Sequence, residues 1–574
     1  MTLSPEKKIA GLLAPLFALR GAHDLGLGDV GALREFVDWA AAQGFALVQL
    51  LPVNETGGDH SPYNAISSVA LEPTTIEITP EAVPDLTAAD FAELAPSRLT
   101  APLCAGPVQY PAVKALKVRL LERAFARFMA GPWKARDARV TRFQRFCRTQ
   151  AGWLQGYAIF RTLMEKNGGT ERWDFWPAEH RTIESTAAWL AKQRAADRRE
   201  FELRIRFRKY VQWLASEQWR EVKEYATSRG VALMGDIPFG VSFYSADVWA
   251  QPELFDPVWC GGCPPERLLK VDEFTYKWGQ NWGIPLYRWD VHRASDFAWW
   301  RQRVHKVRDV FHLFRIDHIL GVFRIYGFPW RPDRNAEFLP LTWEEAAQLT
   351  GGELPRFVAF ADDTDKHQAA NHAQGREILE TLLEESGEHR LVGEDLGMVP
   401  DYVRPCLQKL GIAGFKVPQW EIGADGQMIP GTKYEPLSLA TYATHDHPPL
   451  RTMWEDWMAA IAAAEKGGPE TWPARDAAWV EARRLAAWCG FEVPRLTPFS
   501  AKIHRQILHA LCASESWMAV LMLTDLFAST QRFNVPGAVS DANWTERIAE
   551  PVAKMRAPSW IRDLLAKTGR VVGK

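Results

Sequence analysis

Cysteine is scarce and scattered: Cys104, Cys147, Cys260, Cys263, Cys406, Cys489 and Cys512 are seven in 574 residues. An odd number spread this thinly is not a disulfide framework, and reduced thiols in a cytoplasmic protein are expected. Cys260-Gly-Gly-Cys263 has the spacing of half a zinc site, but no second Cys or His pair follows at a fitting distance. It reads as a plain loop, and no metal is expected. An excess of one charge is also missing, with 68 Lys and Arg against 70 Asp and Glu and a net charge of -2. This excludes nucleic acid or an anionic membrane surface as the main partner. The basic stretches Arg198-Arg199 and Arg204 to Lys209 alternate with apolar residues and read as solvated helix faces. No run approaches the roughly 18 uninterrupted apolar residues of a membrane span. Lys7-Lys8 before Ile9 to Leu19 imitates a signal peptide. The preferred reading there is a buried strand from Gly11 to Leu19, a loop from Arg20 to Gly28 and a helix capped by Asp29. Phosphate-binding glycine loops, nucleotide fingerprints, internal repeats and low-complexity linkers are missing, so no organic cofactor is implied.

Apolar residues make up 47% and charged residues 24%, the mixture of a globular chain with a large core. Eight short apolar runs read as strands buried on both faces. They are Leu12 to Leu19, Ala46 to Val53, Val231 to Phe239, His312 to Ile319, Arg390 to Leu396, Gly414 to Trp420, Leu439 to Thr444 and Met518 to Asp525. Amphipathic helical stretches separate most of them, among them Ala32 to Gln43, Glu217 to Ser228, Phe297 to Val310, Ile378 to Glu385 and Pro400 to Leu410. Eightfold strand-helix alternation predicts an α/β protein, a (β/α)8 TIM barrel forming one catalytic domain over 1–574. Two spacings are too long for a simple unit. They predict mainly helical insertions at 79–225, between the second and third strands, and at 448–514, between the seventh and eighth. The first contains the helical stretches Ala112 to Met129 and Trp153 to Met164, with loops near Pro102 to Pro111 and Asn167 to Gly169.

Asp236, Asp317, Glu394, His445-Asp446 and Asp525 fall at or near the C-terminal ends of these runs. In a (β/α)8 barrel those ends surround one pocket, whereas a single acidic residue there is as readily a helix cap. Glycosidic bonds are broken with retention by two carboxyl groups about 5 Å apart, one attacking and one protonating the leaving oxygen. Arg315, two residues before Asp317 on the same side of the strand, can keep a nucleophilic carboxylate ionised. Glu394, beside Asp395 and partly buried, can hold a proton. Asp446 supplies a third carboxylate for an oxocarbenium-like transition state. Of the 26 tryptophans, most read as core, as at Trp299-Trp300, while Trp282 in Gly279-Gln280-Asn281-Trp282-Gly283 is placed on a loop after the third strand and can stack on a sugar.

At these residues the sequence resembles the 4-α-glucanotransferases called amylomaltases or disproportionating enzymes, of the α-amylase clan. The similarity runs from about Gly11 to Arg547. Its successive motifs are Gln49-Leu50-Leu51-Pro52 with Ser61-Pro62-Tyr63, Gly235-Asp236-Ile237-Pro238 with Ser245 to Trp249, Trp282-Gly283-Ile284-Pro285-Leu286-Tyr287, Arg315-Ile316-Asp317-His318, Gly393-Glu394-Asp395-Leu396-Gly397, Thr444-His445-Asp446 and Asn534-Val535-Pro536-Gly537. The resemblance implies Asp317 as nucleophile, Glu394 as acid/base and Asp446 as transition-state carboxylate. It implies Tyr63, Asp236, Gln280, Trp282, Arg315, His318, Asp395 and His445 as lining glucose subsites. Maltooligosaccharides and α-1,4-glucans are the partners it implies, with transfer of a glucan segment to the 4-hydroxyl of another glucan or glucose through a glycosyl-aspartate. The segment Ile319 to Ile325 looks more like the plant cytosolic disproportionating enzymes, and the loop Pro264 to Lys277 looks longer than the family's usual one. Two alternatives stay open: hydrolysis by the same first step, and a non-catalytic glucan-binding protein on the same barrel.

Overall fold

The computed structural model describes residues 3–265, 272–494, 496–536 and 542–570. Its strands are β1 (Ile9–Leu13), β2 (Leu47–Gln49), β3 (Ala232–Ile237), β4 (Phe255–Cys263), β5 (Gln280–Tyr287), β6 (Leu313–Ile316), β7 (Ile325–Phe328), β8 (Arg356–Val358), β9 (Leu391–Gly393), β10 (Ala413–Lys416), β11 (Ser438–Ala440) and β12 (Met518–Met522). Eight of them close a parallel barrel in the order β1-β12-β11-β10-β9-β6-β3-β2. Each of the eight apolar runs therefore contains or overlaps one barrel strand. These strands are buried along their whole length, which is why they read as almost continuous apolar runs.

The strands are shorter than the runs. The first spans Ile9–Leu13 and not Leu12 to Leu19, because Pro15 leads into a 3-10 turn at Leu16–Ala18 whose apolar side chains are as buried as a strand's. Asp29 does cap the next helix, Val30–Gln43, its carboxylate accepting from Gly31 N and Ala32 N. Helices Ser97–Ala105, Tyr110–Ala130, Ala138–Thr149, Ala151–Lys166 and Ala195–Ser228 lie between β2 and β3. Pro102, expected in a loop, sits inside the first of these. The basic stretch 204–209 is not simply solvated. Arg208 is buried and, with Arg204, pairs with Glu165 of a facing helix, an arrangement that sequence spacing along one helix does not reveal. Leu450–Ala464 and Trp472–Trp488 are an adjacent helical pair between β11 and β12.

A second sheet, order β5-β4-β7-β8, was not anticipated. It is antiparallel, and it turns two sequence expectations around. Cys260-Gly-Gly-Cys263 is the end of strand β4 and not a loop, and Trp282 lies within strand β5 and not on a loop. The glycines are there for close approach: a Cβ on Gly262 would stand 1.9 Å from the Gln280 carbonyl oxygen. Of the loop Pro264 to Lys277, residues 266–271 lie outside the described residues, and Glu273–Trp278 is a short helix.

Candidate active site

Register assembles the site. Asp236 on β3 is paired directly with Arg315 on β6, and Ile316 with Gly393 on β9. One residue further on, Asp317 and Glu394 leave adjacent strands at the same level. Side chains two apart on a strand share a face, so Arg315 and Asp317 point the same way.

Arg315 is buried and bridges two carboxylates, with Nη1 2.6 Å from Asp236 Oδ2 and Nη2 2.7 Å from Asp317 Oδ1. Its guanidinium pKa is driven further up because Asp236 and Asp317 outweigh the effect of burial, which by itself would lower it. Tyr63 donates from its hydroxyl to Asp236 Oδ2 at 2.7 Å and stacks on His445 at 4.7 Å between ring centroids. Burial raises Asp236, whose Oδ1 has no hydrogen-bond partner among the described residues.

Glu394 is held by the backbone as well as by its strand. His318 has the left-handed conformation, φ 45° and ψ 54°, and its N–H donates to Glu394 Oε2 at 2.7 Å. Burial, with Asp317 adding negative charge, pushes the Glu394 carboxyl up to about 8, against the opposing pull of Arg315. The His318 ring meets Trp282 edge-on at 4.9 Å, and burial lowers that imidazole to about 4, so it is neutral at pH 7. Trp282 is 37% exposed and donates to Gln280 Oε1 at 3.2 Å. That places the start of β5 beside the residue that follows Asp317.

Asp446 lies six residues beyond Ala440, the last β11 residue paired with β12, and is half-buried between His445 Nε2 at 3.2 Å and Asn534 Nδ2 at 2.7 Å. Burial alone would raise its pKa; the charge and hydrogen bonds of His445 and Asn534 bring it down to about 2. Arg532 donates to the Asp446 carbonyl at 2.7 Å. Trp544 completes an aromatic group with Tyr63 and His445.

Two acidic residues from the sequence expectation stand apart. Asp395 turns back into the protein, accepting from Phe415 N at 2.6 Å and Arg404 Nε at 2.9 Å. The alternation of a strand end sends it to the face opposite Glu394. Asp525 follows β12 inside a short helix, Leu523–Leu526, and accepts from Leu450 N at 2.8 Å at the start of helix Leu450–Ala464. It is a helix cap, the bland reading of an acidic strand end. Sequence reasoning gave no role to Asn534, Arg532 or Trp544. Asn534 lay inside a quoted motif, and that was its only signal.

Carboxyl groups directly after β6 and β9 and on the loop after β11, at the C-terminal ends of parallel barrel strands, give the class first: a (β/α)8 barrel with its candidate site where such barrels carry their chemistry. The comparisons define the family. The profile of the 4-alpha-glucanotransferases, glycoside hydrolase family 77, matches residues 14–553, and the chain belongs to that family. A 4-alpha-glucanotransferase of Chlamydia caviae is 30% identical over 561 residues, covering 95% of this chain and 91% of that protein. The rice 4-alpha-glucanotransferase DPE2 is 32% identical over 327 residues, covering 56% of this chain and 32% of that protein. The fold matches an amylomaltase of Streptococcus agalactiae solved with acarbose, at a TM-score of 0.73 and 23% identity, covering 99% of this chain and 100% of that one. The protein is thus an enzyme of the 4-alpha-glucanotransferase type, the transferase reading being favoured over the hydrolase. No described helix is long and apolar enough to cross a membrane.

Proposed function

We propose that this chain moves a segment of an α-1,4-glucan to the 4-hydroxyl of an acceptor glucan or glucose through a covalent ester on Asp317. The observation that carries the assignment of roles is the contrast between the two neighbouring carboxyl groups: Asp317 bonded to Arg315, and Glu394 pushed up to about 8 by burial. Protonated Glu394 gives its proton to the glycosidic oxygen as Asp317 attacks the anomeric carbon, and the reducing-side fragment leaves. Glu394, now a carboxylate, takes the proton of the incoming 4-hydroxyl as that oxygen displaces Asp317. Two inversions retain the configuration. Asp446, held anionic by His445 and Asn534, stabilises positive charge on the ring and accepts from its hydroxyls.

Maltooligosaccharides and longer α-1,4-glucans are the substrates this reading requires. Trp282 offers a half-exposed ring, Gln280 an amide, and Asp236 Oδ1 a buried acceptor for a sugar hydroxyl to satisfy. Tyr63 and His445 give a polar-edged aromatic wall to the bound glucose. Purified protein incubated with maltotriose alone tests the reading. Longer maltodextrins and free glucose are expected, and Asp317→Asn should reduce their formation by about four orders of magnitude. Shortening of maltotriose without any longer product would identify a hydrolase instead.

A further inference from the structure

The helices between β2 and β3 take no part in the chemistry described above, yet they grip the segment that carries Tyr63. Past β2 the chain makes an excursion whose two limbs meet in isolated antiparallel bridges, Asn54 with Leu71 and Thr56 with Ala65. Between these bridges Glu55 N donates to Ala70 O at 3.0 Å, and Ile66 N donates to Glu55 O at 2.8 Å. Tyr63 stands two residues before Ala65, and Asp59 braces the turn next to it by accepting from Ser61 N at 3.1 Å and Asn64 Nδ2 at 2.7 Å. Neither limb joins the barrel or the second sheet. A lone two-limbed ribbon is marginally stable at best, so its position depends on what its stem is bonded to.

The stem carries a carboxylate in the interior. Glu55 is 4% exposed, and both of its oxygens are taken by one helix, Ala151–Lys166: Oε1 accepts from Arg161 Nε at 2.9 Å and Oε2 from the Tyr157 hydroxyl. Tyr157 and Arg161 are four residues apart and share a helix face. Gln212, on helix Ala195–Ser228, ties the return limb into the same group. Its Nε2 donates to the Tyr157 oxygen at 3.2 Å and to Leu71 O at 2.8 Å, and its Oε1 accepts from Leu71 N at 2.9 Å. Further along that limb Ser68 N donates to Asp247 Oδ2 at 2.7 Å. Removing one partner from a buried charge is costly, which makes this a firm attachment. An ion pair that served only to join helices would have no need of a residue on the stem. This one uses Glu55, and the segment it anchors delivers the Tyr63 hydroxyl to Asp236 and the Tyr63 ring to His445.

We propose that Glu55, with Tyr157 and Arg161, is a positioning group that holds Tyr63 against Asp236 and His445, so that the helical insertion sets the geometry of one wall of the active site. Its effect on rate rests on the glucan-transfer reading; its effect on the segment does not. Hydrogen exchange of the full chain measures the second. In Glu55→Gln and in Tyr157→Phe, amides of residues 54–72 are expected to exchange about ten-fold faster, with those of helix Val30–Gln43 unchanged. A double-mutant cycle on maltotriose transfer measures the first. Either substitution should lower kcat/KM by about ten-fold when Tyr63 is present and by less than about two-fold in a Tyr63→Ala chain, where nothing is left to position. Tyr157→Phe removes one hydroxyl and keeps the ring, so it carries both measurements if Glu55→Gln fails to fold. Unchanged exchange, or equal losses of kcat/KM with and without Tyr63, would overturn the positioning role and leave the proposed function standing. If the wild-type chain does not lengthen maltotriose, the transfer reading falls, and the exchange comparison still decides whether Glu55 holds the segment.

Discussion

At the scale of the residue, the site is built on one buried arginine serving two carboxylates and on one backbone kink serving a third. Arg315 fixes Asp236 and Asp317 on adjacent strands, and the left-handed His318 turns its N–H onto Glu394. The raised Glu394 carboxyl has two consequences. The acid limb of catalysis should hold to about pH 8, and kcat should fall above it as the donor loses its proton. Folding stability follows with its own sign. A pKa higher in the folded than in the unfolded chain means that the folded state binds more protons between the two values, so this group's contribution falls as pH rises from the unfolded carboxylate range through about 8. Glu394→Gln removes the charge that burial disfavours. Its melting temperature should match wild type near pH 4 and exceed it increasingly toward pH 8, while transfer is lost. A constant difference across that range would show that Glu394 does not titrate as described.

At the scale of the element, the hairpin of β4 and β5 decides where Trp282 and Gln280 stand. The strands approach so closely at Gly262 that a methyl group would collide with the Gln280 carbonyl. Gly262→Ala should therefore displace β5 and raise KM for maltotriose by about ten-fold, with the barrel intact by circular dichroism and kcat changed far less. Equal falls in kcat at saturation and in kcat/KM would mean that the hairpin acts on the chemistry and not on binding. The same element shows the limit of reading one sequence. Glycine and cysteine at 260–263 carry no strand propensity, and the partners of β4 lie at 280–287 and 325–328, so the pattern within the segment could not reveal the sheet. Barrel strands were legible because burial on both faces keeps most of their side chains apolar. Their ends were not, because the apolar turn Leu16–Ala18 is buried just as a strand is.

At the scale of the whole molecule, closure of the barrel joins the two ends of the chain. β1 pairs with β12 over five residues, and Arg570, completely buried, donates to Ile9 O at 2.9 Å, Trp517 O at 3.1 Å, Ser514 O at 2.9 Å and Ser516 O at 2.9 Å. These carbonyls lie where β1 and β12 begin, the face of a barrel that carries stability and not chemistry. Arg570→Met removes the guanidinium from these interior carbonyls, of which Trp517 O keeps Ile9 N as a donor at 2.8 Å. A loss of about 3 kcal/mol in unfolding free energy is expected, read as a lower denaturant midpoint, with kcat at room temperature unchanged. An unchanged midpoint would show that solvent replaces the guanidinium at no cost. The helices between β2 and β3 and those between β11 and β12 contribute Leu120, Trp213, Trp454 and Leu485 to the same core as the barrel strands. Their packing therefore depends on the barrel being closed.

What the sequence by itself determined is the barrel and the family, and it also placed three carboxylates at strand ends as candidates, since burial, strand-end position and motif order are all local properties of the chain. Only the tertiary structure decided direction and company. Asp395 faces away from Glu394 because alternate side chains at a strand end take opposite faces, and Asp525 caps a helix that begins 75 residues earlier in the chain. The β4–β5 hairpin and the pairing of Arg208 with Glu165 exist only where distant segments meet. Contacts of that kind depend on how surfaces fit, and a linear pattern records what each residue prefers to bury without recording what it is buried against.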